Sequence, residues 1–276
     1  MDSHSTPIDS PLTQSLWQAL RADGKDPLQL HPDDLAAVDQ FHIRGKRASV
    51  ELADKLAQNI DARQPLHLLD LGAGLGGSSR YLAKRFDAAV VAVELSSEYV
   101  ATAQALNSSL GLDKQIQFSV GDATAIPYAD QCFDAIWLQH VSMCIADKNR
   151  LFAEIFRVLK PGGVLVLQEI MAGQGGAPHF PVPWAIEPQD SYLSRPSDLL
   201  QQLELAGLNT LEHQDLTPQA LQWFEKQSQR RTSASQPAAL GLKLLLGEAF
   251  AKMMANQLRN FTEQRIALIQ LVAQRP

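Results

Sequence analysis

The chain predicts a doubly wound, mostly parallel α/β sheet. Two observations carry that expectation. Between His67 and Ile170, short apolar runs alternate with amphipathic helical stretches, the rhythm of a parallel sheet covered on both faces. The first apolar run, HLLDL, opens into a turn holding Gly72, Gly74, Gly76 and Gly77, and then into a helix that begins at Ser78 or Ser79. Glycines at a strand-to-helix turn permit positive φ and let a ligand approach the backbone. The first N–H groups of the following helix are free to meet it.

In chain order, residues 1–10 read as a polar tail. The stretch 11–22 is a short helix with Leu12, Leu16, Trp17 and Leu20 on one side. Residues 31–60 are helical on both sides of a break near Gly45. Lying before the first strand, they would cover the open end of the sheet as a lid. This divides the chain into a tail and helical lid, 1–62, and an α/β domain, 63–276. Further strands fall at 88–95, 116–123, within 130–140 and at 163–170. Helices fall between them at 96–112 and 148–160, the second closed by Pro161, Gly162 and Gly163. The loop 171–185 leaves the fifth strand on the side where ligands bind in such sheets. Residues 195–207 form the next helix and 208–217 suit a sixth strand. A helical insertion, about 218–262, follows, with its polar joint at 229–238. Its apolar part, about 240–261, would either cap a pocket or form a homodimer contact. The last segment, RIALIQLVAQR, suits strand or helix equally by periodicity.

At 276 residues and 45% hydrophobic, the chain has material for a large core. A net charge of −6 argues against non-specific nucleic-acid binding. The basic clusters (Arg44, Lys46 and Arg47; Arg230 and Arg231) have no interleaved aromatics. Two cysteines, Cys132 and Cys144, make no CxxC motif, which suits a reducing, cytoplasmic setting. No leader peptide and no membrane span are expected. The scattered histidines lack metal-ligand spacing, so no metal is expected.

Gly72, Gly74 and Gly77 satisfy the dinucleotide spacing G-x-G-x-x-G, which alone is weak. Asp70 separates the cofactors. A carboxylate beside a pyrophosphate repels it, whereas S-adenosylmethionine presents a sulfonium and an ammonium that a carboxylate attracts. Asp70 would also order the turn by hydrogen bonding. Glu94, ending the second strand, suits bidentate acceptance of two ribose hydroxyls, or simply a helix N-terminus. Leu95 offers packing for an adenine. Asp122 suits an adenine amino group, or simply a turn, and Ala123 adds a backbone N–H. Gln139 and His140 follow the fourth strand, near the methionine end.

The pieces LLDLGAGLGGSSRYLA, VVAVELS, GDATAIPYADQCFDAIWLQH and RVLKPGGVLVLQE together resemble class I S-adenosylmethionine-dependent methyltransferases over roughly residues 64–171. Within that class, GLGGSSRYLA is similar to tocopherol, plant alkaloid and sarcosine/dimethylglycine methyltransferases. The resemblance implies a Rossmann-like, seven-stranded sheet whose final antiparallel strand is RIALIQLVAQR, with helices inserted before it. It also implies a cofactor shell of Asp70, Gly72, Gly74, Glu94, Leu95, Asp122, Ala123 and Gln139.

The expected reaction is methyl transfer to a small molecule, with an amine preferred. His140 would serve as base if the acceptor were a hydroxyl or a ring carbon. His42, Tyr81, His179, Phe180 and Trp184 are candidates to meet the acceptor, an aromatic ring suiting a cationic amine. The rival readings are an NAD-dependent oxidoreductase, carried only by the glycine spacing, and a cofactor-binding scaffold without activity.

Overall fold

The computed structural model describes residues 10–61, 65–233 and 239–276; of 228–233 only the backbone is described. The tail before Ser10 and the side chains of Arg230 and Arg231 lie outside the described residues. The strands are β1 (His67–Leu71), β2 (Ala89–Glu94), β3 (Ile116–Val120), β4 (Phe133–Gln139), β5 (Leu159–Ala172), β6 (Asn209–Asp215) and β7 (Ile266–Gln274). The helices are α1 (Pro11–Ala22), α2 (Ala36–Asp39), α3 (Lys46–Asn59), α4 (Gly77–Phe86) and α5 (Ser97–Ser109). They continue as α6 (Lys148–Val158), α7 (Pro196–Leu205), α8 (Thr217–Ser233), α9 (Lys243–Leu246) and α10 (Phe250–Thr262).

Among the described residues, one seven-stranded sheet runs in the order β3-β2-β1-β4-β5-β7-β6. Strands β1 to β5 pair in parallel, and β7 runs antiparallel to both β5 and β6. The fold is thus the seven-stranded, mostly parallel class that the sequence predicts, with 266–274 as strand. The strand order reverses between β1 and β4, and a crevice opens at such a switch point.

Alternate residues along each strand serve opposite faces. Leu69, Leu71, Ile136, Leu138 and Leu167 pack with Phe152 and Ile155 of α6 and Leu203 of α7. Leu68, Val90, Trp137 and Val166 pack on the other face against Leu52 and Leu56 of α3 and Leu82 of α4. Trp137 is core, 1% exposed. Each such buried side chain stabilises the fold by about 1.5–3 kcal/mol relative to exposure.

Several boundaries differ from the expectation. Helix α3 belongs to the layer covering the sheet, because its Leu52, Ala53 and Leu56 supply an apolar stripe for β1 and β5. The part of the lid region that reaches the strand ends is shorter, 38–42. Helix α6 ends at Val158, and Pro161 to Gly163 lie inside β5 instead of a turn before it. They form a bulge rather than extended chain: the register passes from Leu159 opposite Phe133 to Val164 opposite Ala135, Gly162 has φ +76°, and its N–H donates to the Arg275 carbonyl at 2.8 Å. The stretch 240–261 is broken at Gly247, whose φ of +63° no helix accommodates.

Candidate functional site

The glycine turn is built from the strand outward. Asp70 is buried, 2% exposed, and accepts the Ser79 hydroxyl at 2.6 Å. Burial pushes its carboxyl up to about 7, the Ser79 bonds opposing and the Glu94 charge assisting. Asp70 therefore orders the turn, and it is also a carboxylate whose ionisation a nearby cation would favour. Gly72 and Ala73 donate to the Val93 carbonyl at 2.8 and 3.1 Å, which ties the turn to β2. Glu94 accepts Gly74 N–H at 3.1 Å and Ser96 N–H at 2.9 Å. A carboxylate has about four acceptor sites, so two remain for hydroxyls. Beneath the turn, Arg80 pairs with Asp39 at 2.9 Å and donates to the Leu75 carbonyl at 2.6 Å.

A cavity of about 300 Å³ opens over these atoms. All eight residues expected to hold the cofactor line it: Asp70, Gly72, Gly74, Glu94, Leu95, Asp122, Ala123 and Gln139. Leu95 is 71% exposed, so it forms a rim. Asp122 spends Oδ1 on Thr124 N–H and hydroxyl, at 2.7 and 2.8 Å, and Oδ2 makes no bond within the described residues. Gln139 accepts from Trp137 Nε1 and Ser78 Oγ, while its buried Nε2 finds no acceptor among the described residues. Val38, Phe41, Tyr99, Cys144 and Leu245 complete the walls and were not singled out from sequence.

These features fit S-adenosylmethionine. The turn offers a cradle that only glycine allows: a Cβ on Gly72 would stand 2.3 Å from Val141 Cγ2, and one on Gly76 2.5 Å from Phe118 Cζ. The buried Gln139 Nε2 is a donor awaiting an acceptor. Acidic groups at β1, β2 and after β3 face the same space, an unfavourable lining for a pyrophosphate.

A second cavity, about 270 Å³, adjoins the first. Phe41, His42, His140 and Cys144 line both. The His42 and His140 rings lie 6.1 Å apart, centroid to centroid. His140 has φ +59°, a left-handed conformation uncommon outside glycine, and its N–H donates to the Gln168 carbonyl at 2.9 Å. Burial, with His42 as the lesser cause, pushes His140 down to about 3. Burial likewise holds His42 at about 4, against the Gly45 carbonyl that its Nε2 meets at 3.0 Å. Both imidazoles are neutral at physiological pH.

The turn carrying His140 is clamped by two residues the sequence did not single out. Glu169 is fully buried and accepts Val141 N–H, Ser142 N–H and the Ser142 hydroxyl at 3.0, 2.9 and 2.8 Å. Burial pushes its carboxyl up to about 7. Lys148 donates to the carbonyls of Ser142, Ile145 and Tyr192. A polar pair, Gln168–Glu169, inside an apolar strand was the available signal. Glu169→Gln should destabilise the protein by about 1–3 kcal/mol, since one oxygen cannot serve three donors. Urea denaturation checks this, and a change below 0.5 kcal/mol, about the noise of a surface substitution, would remove the clamp.

Other expected substrate contacts stand elsewhere. Tyr81 shares a face of α4 with Gly77 and Arg80, at positions i, i+3 and i+4, and lines a separate groove with Lys46 and Lys84. His179 is held away from both cavities by Glu263 at 2.8 Å and by two backbone bonds to Asn260. Phe180 faces a surface groove beside Arg195 and Arg265. Trp184 lines the second cavity, its Nε1 donating to Ser191 Oγ at 2.9 Å.

Residues 69–167 match the family model described as a methyltransferase domain. Over those residues the chain resembles a methyltransferase domain, and its sheet has the class I methyltransferase fold. A glycine/sarcosine/dimethylglycine N-methyltransferase of Actinopolyspora halophila is 27% identical over 216 residues, 78% of this chain and 38% of that protein. A phosphoethanolamine N-methyltransferase 2 of Haemonchus contortus, solved with S-adenosyl-L-methionine, superposes with a TM-score of 0.74 at 18% identity, over 97% of this chain and 60% of that one. The [4+2]-cyclase SpnF superposes at 0.68 and 23% identity, over 98% and 99% of the two chains. The same fold therefore carries more than one chemistry. The chain spans between a third and a half of the length of the curated relatives it matches. Among the described residues of this methyltransferase-fold chain, no helix is long and apolar enough to cross a membrane.

Proposed function

We propose that the chain transfers the methyl group of S-adenosylmethionine to a small-molecule amine. The observation that supports this reading is the seam between the two cavities, where Phe41, His42, His140 and Cys144 belong to both. S-adenosylmethionine would supply a methyl carbon made electrophilic by its sulfonium: an uncharged amine's lone pair would form the carbon–nitrogen bond as the carbon–sulfur bond breaks, leaving a neutral thioether and a methylated ammonium, which gives up its N–H proton to solvent on release. Glu94 and Asp122 would hold the ribose and adenine, and Gln139 Nε2 would donate to the methionine carboxylate. Asp70, ionised by the adjacent positive charge, would balance it.

The walls then have two tasks: alignment and keeping the acceptor uncharged. The same desolvation that holds both imidazoles neutral disfavours an ammonium and so favours the free amine. A histidine held at about 3 is a weak base, so His140 acts through position and through an acceptor lone pair. The two cysteines, unpaired in the structure, support a reducing cytoplasmic setting.

With an amine acceptor, kcat/KM should rise with pH until the acceptor's own ammonium has titrated. Neither imidazole adds an inflection between pH 5 and 8. His140→Asn, which tolerates positive φ, should cost about tenfold or less, whereas removing a general base costs about 10²–10⁴-fold. Retained binding of S-adenosylhomocysteine with a loss in the larger range would return His140 to the base role. No binding of S-adenosylhomocysteine by the wild-type protein would remove methyl transfer altogether.

A further inference from the structure

The second cavity is bounded by segments that lie far apart in sequence. Ile43 comes from the N-terminal region, Met143 from the turn after β4, Ile170 from β5, Trp184 from the loop after β5, Trp223 from α8 and Met254 from α10. Pro183 and Leu242 add further apolar surface, and Gln257 adds an amide. No lysine, arginine, aspartate or glutamate lines it among the described residues. Its polar side chains are the two imidazoles, the Cys144 thiol, the Trp184 indole, already bonded to Ser191, the Trp223 indole and Gln257. None of the cations on adjoining elements is in the lining. Arg44 pairs with Glu51 at 2.5 Å, although its buried Nη1 has no partner among the described residues, Arg259 pairs with Glu263 at 2.6 Å, and Lys148 donates to three carbonyls.

Neither imidazole brings a standing positive charge to the cavity, since burial lowers both and His42 Nε2 already meets the Gly45 carbonyl. A carboxylate or phosphate entering this cavity would shed its water and meet no lysine or arginine in the lining among the described residues, a large cost. An apolar body loses nothing on entry and gains area against Trp184, Trp223 and Met254. The two tryptophans add flat π surface that suits a ring. The cavity, about 270 Å³, falls just below the usual span of small-molecule pockets, about 300–1,000 Å³.

We infer that the acceptor is an amine carried on an apolar ring skeleton without any anionic group, seated between Trp184, Trp223 and Met254, with its nitrogen at the seam of Phe41, His42, His140 and Cys144. This rests on the methyl-transfer reading and narrows it. The cavity selects by excluding charge. Amino acids and phosphorylated amines are poor fits, whatever related chains with the same fold accept.

The test separates the two layers. Calorimetry with S-adenosylhomocysteine on the full chain comes first; absence of binding refutes methyl transfer, and the acceptor inference with it. With that ligand bound, quenching of tryptophan fluorescence reports occupancy of the second cavity without turnover. The probes are 4-phenylpiperidine and tetrahydroisoquinoline, with sarcosine and phosphoethanolamine as anionic amines. The ring amines should bind at least a hundredfold more tightly, and tritium transfer should follow the same order. Met254→Lys should weaken the ring amines at least thirtyfold and leave S-adenosylhomocysteine affinity unchanged. Trp223→Ala should act the same way and covers the case in which the lysine variant does not fold. Tighter binding of either anionic amine, with S-adenosylhomocysteine bound, overturns the inference while leaving methyl transfer standing. So does failure of both ring amines to bind.

Discussion

Gly72→Ala should abolish cofactor binding. Two costs add at this position. Its φ is +78°, and holding an L-residue with a side chain in the left-handed region costs about 1–2 kcal/mol. The new methyl would also stand 2.3 Å from Val141 Cγ2, 2.9 Å from Cγ1 and 3.2 Å from Cβ. Overpacking of this kind costs about 1–3 kcal/mol. Val141 cannot retreat freely, because its N–H is bonded to Glu169 and it directly follows His140. The two turns must therefore separate, and both line the first cavity. We expect S-adenosylhomocysteine affinity to fall at least about a hundredfold, near 2.7 kcal/mol, with a lowered melting temperature. Gly74→Ala is the informative companion. Its φ is +56°, but a Cβ there meets nothing within 4 Å. It should lose binding with less loss of stability, because it crowds the ligand's space and no neighbouring turn. Equal melting temperatures for the two variants would show that Val141 yields without cost.

Arg80→Met should be among the most destabilising single changes in the chain. The Arg80 and Asp39 side chains are 2% and 4% exposed, so the pair is out of water. Burial already pushes the Asp39 carboxyl up, and Arg80 is the first group opposing it. Removing the guanidinium strands that carboxylate, which costs about 3–5 kcal/mol for buried pairs. At about 2–4 °C per kcal/mol for a domain of this size, the melting point should fall by roughly 10 °C. The loss would also reach the site. Arg80 holds the Leu75 carbonyl, and Asp39 packs against the start of α4, where a Cβ on Gly77 would stand 2.2 Å from the Asp39 carbonyl oxygen. The double change Arg80→Met with Asp39→Leu should recover much of the loss, since an apolar pair leaves no orphan charge. A single-variant loss below 1 kcal/mol would show that water reaches the pair.

The residues legible in the sequence were those whose position alone implies a role. Strands buried on both faces read as apolar runs, and the acidic residues at their ends are fixed by topology. Asp70, Glu94 and Asp122 accordingly fall around one cavity. The second cavity was not legible, because its walls come from segments with no shared period. Of the acceptor candidates, His42 and Trp184 reach it, while His179 and Phe180 do not. What turns the last two away is the docking of the 171–185 loop on α10 through Asn260, a contact with no local signature. Glu169 and Lys148 were hidden for a related reason. A buried charge is intelligible only beside the backbone groups it satisfies, and some of those are distant in sequence: the turn at 141–142 for Glu169, and the Tyr192 carbonyl for Lys148.

Strand β7 lies between β5 and β6, although it comes last of the seven in the chain. During synthesis, β5 therefore waits with one open edge and β6 with no neighbour until residues 266–274 have emerged. An unpaired edge of Val164, Leu165, Val166 and Leu167 is a template for wrong pairing with other chains. In the parallel half the wait is shorter: β1 holds one edge open only until β4, 133–139, has emerged. The hazard of misassembly during folding is thus concentrated in one late event, the insertion of a single segment into a slot that two earlier strands hold open.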